Sequence, residues 1–194
     1  MLTVNLDGQN FQFDASARNI NEIIELAKKG IASGRLISDL KLSGRDISGM
    51  EYKLPLRAHK DVVLEISTQT KGDFIHDKFV IAGLSLDVII ARFNMISPSF
   101  EEQGILEASQ HLSSATKDFQ FFLSWFSDIL GVDTERFATL QSDLTDLVRE
   151  LSVVLNETVS HQSAGDWEAV NTSIDGKVVP LLITLAGLIK GANA

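Results

Sequence analysis

The feature that most constrains this chain is a change of hydrophobic period near residue 70. Before it, apolar residues alternate with polar ones. Leu2, Val4 and Leu6 lead into Asp7-Gly8, and Phe11 and Phe13 resume the alternation beyond. A period of two on both sides of Asp-Gly predicts a hairpin, because its tight turn needs the positive φ that glycine adopts without steric cost. After residue 70 the apolar residues recur every three or four positions, the spacing of one helix face. The chain therefore needs a sheet-forming part and a helix-forming part, and the expected class is α+β.

Within the first part, Asn19 and Glu22 stand in capping-box spacing ahead of Ile20, Ile23, Ile24 and Leu26, which predicts a helix stopping near Gly30 or by Gly34. Leu40 and Leu42 then lead into Ser43-Gly44, and Val62, Leu64 and Ile66 alternate in a closing strand. The order is hairpin, helix, strand, turn, strand. With the run Leu40-Lys41-Leu42-Ser43-Gly44-Arg45-Asp46-Ile47 after the helix, residues 1–70 resemble the ubiquitin-like β-grasp fold. Modifiers and sulfur carriers of that fold end in a free Gly-Gly tail. Here the chain runs on through Ser67 to Gly72, so neither conjugation nor sulfur transfer is expected.

Residues 71–194 predict a domain of four helices, near 73–96, 100–130, 134–162 and 164–190, joined by short connections that favour an antiparallel bundle. Ser99 with Glu102, Asp133, and Ser163 with Asp166 are the expected N-terminal caps, and Gly131 the expected end of the second helix. The third helix carries a heptad seam of Phe137, Leu140, Leu144, Leu147, Leu151 and Val154, continuing to Thr158. In the fourth, Pro180 should remove one hydrogen bond and kink the helix, with Gly176 loosening the preceding turn.

Two helices have more apolar surface than one seam uses. Ile81, Leu84, Val88 and their neighbours from Phe79 to Phe93 make the first helix apolar nearly all round, so it must be central or lie in a subunit interface. On the second helix, Leu112, Ala115, Phe119, Phe122, Leu123, Phe126 and Leu130 form one stripe, while Phe121 and Trp125 stand one turn apart on roughly the opposite side. Large aromatics there need a second partner. Phe121, Trp125, Ile81, Leu84 and Val88 are the candidate partner-binding residues.

Charge narrows the partners. Residues 1–70 carry nine basic and nine acidic side chains, whereas residues 71–194 carry eight and seventeen, so the whole surplus of −9 belongs to the helical part. Such a field repels phosphate backbones, and nucleic acid is not an expected partner. The N-terminus has no basic, apolar signal pattern. The longest apolar run, Val178 to Ile189, falls short of the roughly 20 residues of a span. A cytoplasmic location without membrane contact is the expectation. With no cysteine, thiolate chemistry and Cys-ligated zinc are excluded.

No P-loop, dinucleotide fingerprint, EF-hand or nucleophile elbow occurs. Glu107 with His111 and Glu157 with His161 have i, i+4 spacing, not the Glu-x-x-His spacing of di-iron bundles, and read as surface ion pairs. Asp73, His76 and Asp77 suit the start of a helix through its dipole, and His59 has no nucleophile or carboxylate constellation around it. No cofactor, metal or enzymatic activity is expected. The helical part resembles small acidic helical proteins of bacteria and has the general character of flagellar or secretion assembly factors. The expected function is a protein-interaction module, an adaptor, assembly factor or chaperone-like protein working as a homodimer and engaging a further protein partner. A sensor holding a small molecule or lipid within the bundle is the alternative, and an enzyme with a site between the domains is the third reading.

Overall fold

The computed structural model describes residues 2–12, 19–47 and 62–192. Strands β1 (Thr3–Leu6), β2 (Gln9–Asn10), β3 (Arg35–Leu42), β4 (Arg45–Asp46) and β5 (Val63–Thr70) form one mixed sheet in the order β2-β1-β5-β3-β4. β1 runs parallel to β5 and every other pairing is antiparallel. Helix α1 (Ile20–Gly30) lies between β2 and β3 in sequence. The chain divides into two compact units, Met1–Phe74 and Ile75–Ala194.

Local chemistry sets both hairpins. Asp7 and Gly8 have φ of 49° and 78°, and Ser43 and Gly44 have 50° and 78°. Two successive left-handed residues give the turn that matches the twist of adjoining strands. Asn19 caps α1 through Glu22 N–H at 2.9 Å, and Glu22 answers through the Asn19 side-chain amide at 3.0 Å. The core beneath the sheet joins Val4, Leu64 and Ile66 to Ile20, Ile23, Ala27 and Ile47. Phe11 packs against its edge, and Phe13 lies outside the described residues.

Asp7 has a second task. Its carboxylate accepts from the Thr68 N–H at 2.7 Å and the Thr68 hydroxyl at 2.6 Å. Arg35 donates to the same hydroxyl and to the Thr68 carbonyl. The hydroxyl bond, then the backbone bond, then the Arg35 charge hold the Asp7 carboxyl below its ordinary value. A depressed carboxylate stabilises the fold above its unfolded pKa and loses that contribution as pH falls through the folded one. Amide protection at Leu64–Thr68, measured relative to the unfolded chain at the same pH, is therefore expected to fall below about pH 4. Asp7→Asn should remove most of that acid sensitivity; an unchanged profile in the variant would refute the assignment.

The helical unit departs from the expected four spans in three places. α2 (Lys71–Asn94) starts with Thr70 and Asp73 bonded to each other, Thr70 Oγ1 accepting from the Asp73 N–H at 3.1 Å. A separate helix, α3 (Ile96–Gln103), then occupies the stretch where Pro98 and a Ser99 cap were expected to begin the second helix. Ser99 is buried inside α3, its hydroxyl donating to the Met95 carbonyl, and Gly104 at φ 90° makes the break before α4 (Ile105–Gly131). Proline is tolerated this early in a helix because first-turn positions need no amide donor.

Asp133 accepts from Arg136 N–H at 3.3 Å and so caps the turn at 132–137, not α5 (Ala138–Ser163) itself. The expected Ser163 cap is likewise displaced. Ser163 ends α5, and Asp166 caps α6 (Trp167–Ser173) by accepting from Ala169 N–H. A π-helical turn, Ile174–Val178, joins α6 to α7 (Val179–Gly191), with the Val179 N–H reaching back to the Ile174 carbonyl. Pro180 sits in the first turn of α7, so the chain accommodates it with one wide turn just ahead of the ring.

The expected seams are buried in the main, with Leu140 and Leu147 of α5 and Leu123 of α4 half-buried. Phe137, Leu144, Leu151, Val154 and Thr158 are buried on the α5 side, and Leu112, Ala115, Phe119, Phe122, Phe126 and Leu130 on α4. Thr158 and Ser173 share a buried hydroxyl contact of 2.7 Å between α5 and α6. Lys190 of α7 grips Asp87 of α2 at 2.7 and 2.9 Å, its stem lying over Gly83, where an added Cβ would come within 3.1 Å of Lys190 Cε.

Candidate functional site: an aromatic ridge on the helical unit

Placing a helix seam against its neighbours fixes what is left outside. On α4 the inward stripe turns Phe121 outward, 82 % exposed, with Trp125 half-buried beside it. On α2 the burial of Phe79, Leu86, Ile89 and Phe93 leaves a second line uncovered: Ile81 44 %, Leu84 61 % and Val88 55 % exposed. These three recur at i, i+3 and i+7 and so share one face of α2. The sequence requires that helix to be covered all round; the described residues of the helical unit leave this face bare.

Val88, Phe121 and Trp125 meet in a groove of about 380 Å³ between α2 and α4, with Ser85, Arg92 and Asp118 at its sides. Arg92 and Asp118 are ion-paired across it. Leu84 and Ile81 continue the apolar line along α2 without lining the groove. On the other flank of Phe121 and Trp125 lies a second depression of about 550 Å³, bordered by Lys117, Gln120, Ser124 and Asp128. The two aromatics thus form a ridge between two grooves.

The ridge is anchored to the interior. Trp125 lies 6.2 Å from Phe122 and 6.4 Å from Phe126, ring centre to ring centre. Phe126 in turn meets buried Phe79 edge-on at 5.2 Å, and Phe79 stacks on Phe137 at 5.0 Å. A surface aromatic rooted in a packed cluster loses little side-chain freedom on binding, which suits it to be a contact anchor.

Other concavities suit different chemistry. Between α4, α5 and α7 a cleft of about 240 Å³ has Phe122, Phe126, Leu130, Leu144 and Leu185 at its floor and Ser127, Gln141 and Thr145 among its lining. A polar cleft of about 380 Å³ is lined by Glu157, His161, Asp166 and Lys177 among others. Glu157 pairs there with Lys177 at 3.4 Å, not with His161 as its spacing suggested, and Asp166 is engaged as the α6 cap. Among the described residues no group of three or more His, Asp or Glu is placed to hold a metal ion. His59 lies outside the described residues, and His76 is exposed on α2.

Sequence reasoning missed the sides of the ridge: Arg92 and Asp118, and the Lys117, Ser124 and Asp128 line. Heptad spacing of 117, 121, 124 and 128 was the available signal. The segments Lys71–Gln103 and Trp167–Gly191 are long and apolar enough to cross a membrane by length and composition, with 39 % and 44 % of their most apolar windows buried. Core helices of soluble proteins share that property. Comparison with family models, curated proteins and solved structures finds no match to this chain.

Proposed function

We propose that this protein is a protein-interaction module, an adaptor, assembly factor or chaperone-like protein whose working surface is the apolar α2/α4 face. Its first partner is a second copy of the chain, so that the active form is a homodimer. The observation that carries this is the exposure of Phe121 beside Val88, with Leu84 further along the same face of α2, since an exposed aromatic among aliphatics is costly to leave in water. Both signs of charge border the face, in Arg92, Asp118, Lys117 and Asp128, and a patch carrying both signs can match itself across a two-fold axis. Sedimentation equilibrium tests the reading: twice the 21.3 kDa chain mass for the wild type, one chain mass for Phe121→Asp. A single-chain mass for the wild type at high micromolar concentration overturns it.

The finer architecture belongs to the same proposal. The order β2-β1-β5-β3-β4, with parallel β1 and β5 and a helix between the hairpin and β3, supports a β-grasp-like N-terminal unit. Phe79 meets Phe126 and Arg92 meets Asp118, a reversed order that supports antiparallel α2 and α4. A cytoplasmic location, free of nucleic acid and membrane, fits the acidic balance.

The α4–α5 cleft favours a second reading, a sensor for a slender apolar molecule. Its floor side chains are at most 6 % exposed although they border an open volume, so the cleft offers an apolar lining that water barely touches. None of its lining residues is charged, which selects an uncharged head. In a Trp167→Phe background, 8-bromo-1-octanol should quench Trp125 saturably, and Val148→Phe should weaken that at least tenfold, on the order of one lost pocket contact. Quenching that rises linearly with probe sinks this reading.

A further inference from the structure

Resting on the self-association reading, we infer that the dimer forms by antiparallel pairing of α4 with the α4 of a second copy, in one register. Lys117, Phe121, Ser124 and Asp128 follow one another at four, three and four residues, so they stand in a single line down the exposed side of α4. Lys117, Phe121, Ser124 and Asp128 are all exposed. Reversing the line about a midpoint between Phe122 and Leu123 maps it onto itself. Lys117 then meets Asp128 of the second copy, and Phe121 meets Ser124.

Each meeting is complementary in kind. The largest exposed side chain of the line lies over the smallest, which lets two helices approach as large-over-small layers do. The ends bring opposite charges together twice, and in a two-fold interface each pair is repeated by symmetry. A parallel pairing would stack Lys117 on Lys117, Phe121 on Phe121 and Asp128 on Asp128, setting like charges opposite each other at both ends. The arrangement therefore attracts in one direction and repels in the other, which is how charged positions choose helix orientation. Trp125 falls opposite Gln120 in this register, beside the main line, where its ring also closes the groove shared with Val88. On the outer flank, Ile81, Leu84 and Val88 of α2 would be shielded by the rim of the second copy.

The experiment is a charge exchange on the full chain, read by sedimentation equilibrium. Lys117→Glu alone and Asp128→Lys alone should each weaken self-association about tenfold or more, because each sets like charges opposite each other twice. Mixing those two variants should restore association as a heterodimer, and the double variant Lys117→Glu/Asp128→Lys should self-associate like the wild type. Both positions are exposed, so folding is not at stake. The chain has no cysteine; Lys117→Cys and Asp128→Cys variants oxidised together should therefore give a disulfide-linked dimer containing one of each. Unchanged association in both single variants, or a double variant as weak as the singles, overturns the register while the wild-type dimer stands. A wild type that sediments as a single chain overturns the self-association reading itself.

Discussion

Phe121→Asp is expected to raise the dimer dissociation constant by roughly a hundredfold, the effect of about 2.7 kcal/mol at an interface anchor. The size follows from position. Phe121 is the most exposed large apolar side chain among the described residues and lines one groove with Trp125 and Phe122. It enters a two-fold interface twice, and the replacement buries two carboxylates with no cation within the Phe121–Ser124 layers. Far-UV circular dichroism should be unchanged, since an exposed helical position bears no core load. Phe121→Leu should lose much less, because it keeps an apolar side chain there. A Phe121→Asp chain that associates like the wild type would remove the ridge from any role in assembly.

Phe79→Ala should destabilise the helical unit by about 3–5 kcal/mol and lower its melting temperature by roughly 10–20 °C. Phe79 is 1 % exposed and joins α2 to α4 through Phe126 and to the turn before α5 through Phe137. Removing its ring opens a cavity that three segments cannot all close at once, and the aromatic chain leading out to Trp125 loses its inner end. Trp125 emission should shift to the red in the folded variant. A melting temperature within a degree or two of the wild type would show that the cluster relaxes freely, contrary to its packing.

What was legible in the sequence was local. Asp7-Gly8 and Ser43-Gly44 are turns because their own backbone requirement selects them, and Asn19 with Glu22 needs only three residues to close its cap. The seam from Phe137 to Thr158 was legible because one repeat persists over six turns. Ser99 was misread because its hydroxyl had two acceptable uses, and only burial within α3 chooses the Met95 carbonyl. Thr70 went unread as a cap because it also closes β5, where its neighbours' alternation dominates the pattern.

The candidate site divides in the same way. Phe121 and Trp125 announce themselves because they stand off a stripe already filled by Leu112, Phe119, Phe122 and Phe126. That α2 would leave Leu84 and Val88 uncovered depends on where α4 and α7 lie, which no single segment states. Lys117 and Asp128 carry meaning only once Phe121 and Ser124 between them are known to face outward.

The wide turn at Ile174–Val178 acts as a vernier for the last segment of the chain. Val170, Ile174, Val178 and Leu182 are spaced by four each time, and a regular helix would carry such a series steadily around its axis. Underwinding by one residue keeps all four in file and delivers Leu185 and Ile189 to the interior. Excising one residue of that turn would let it close at ordinary pitch with the segment beyond still facing the interior, whereas one residue inserted into α7, where no wide turn absorbs it, would swing the residues beyond by about 100° and carry Lys190 away from Asp87.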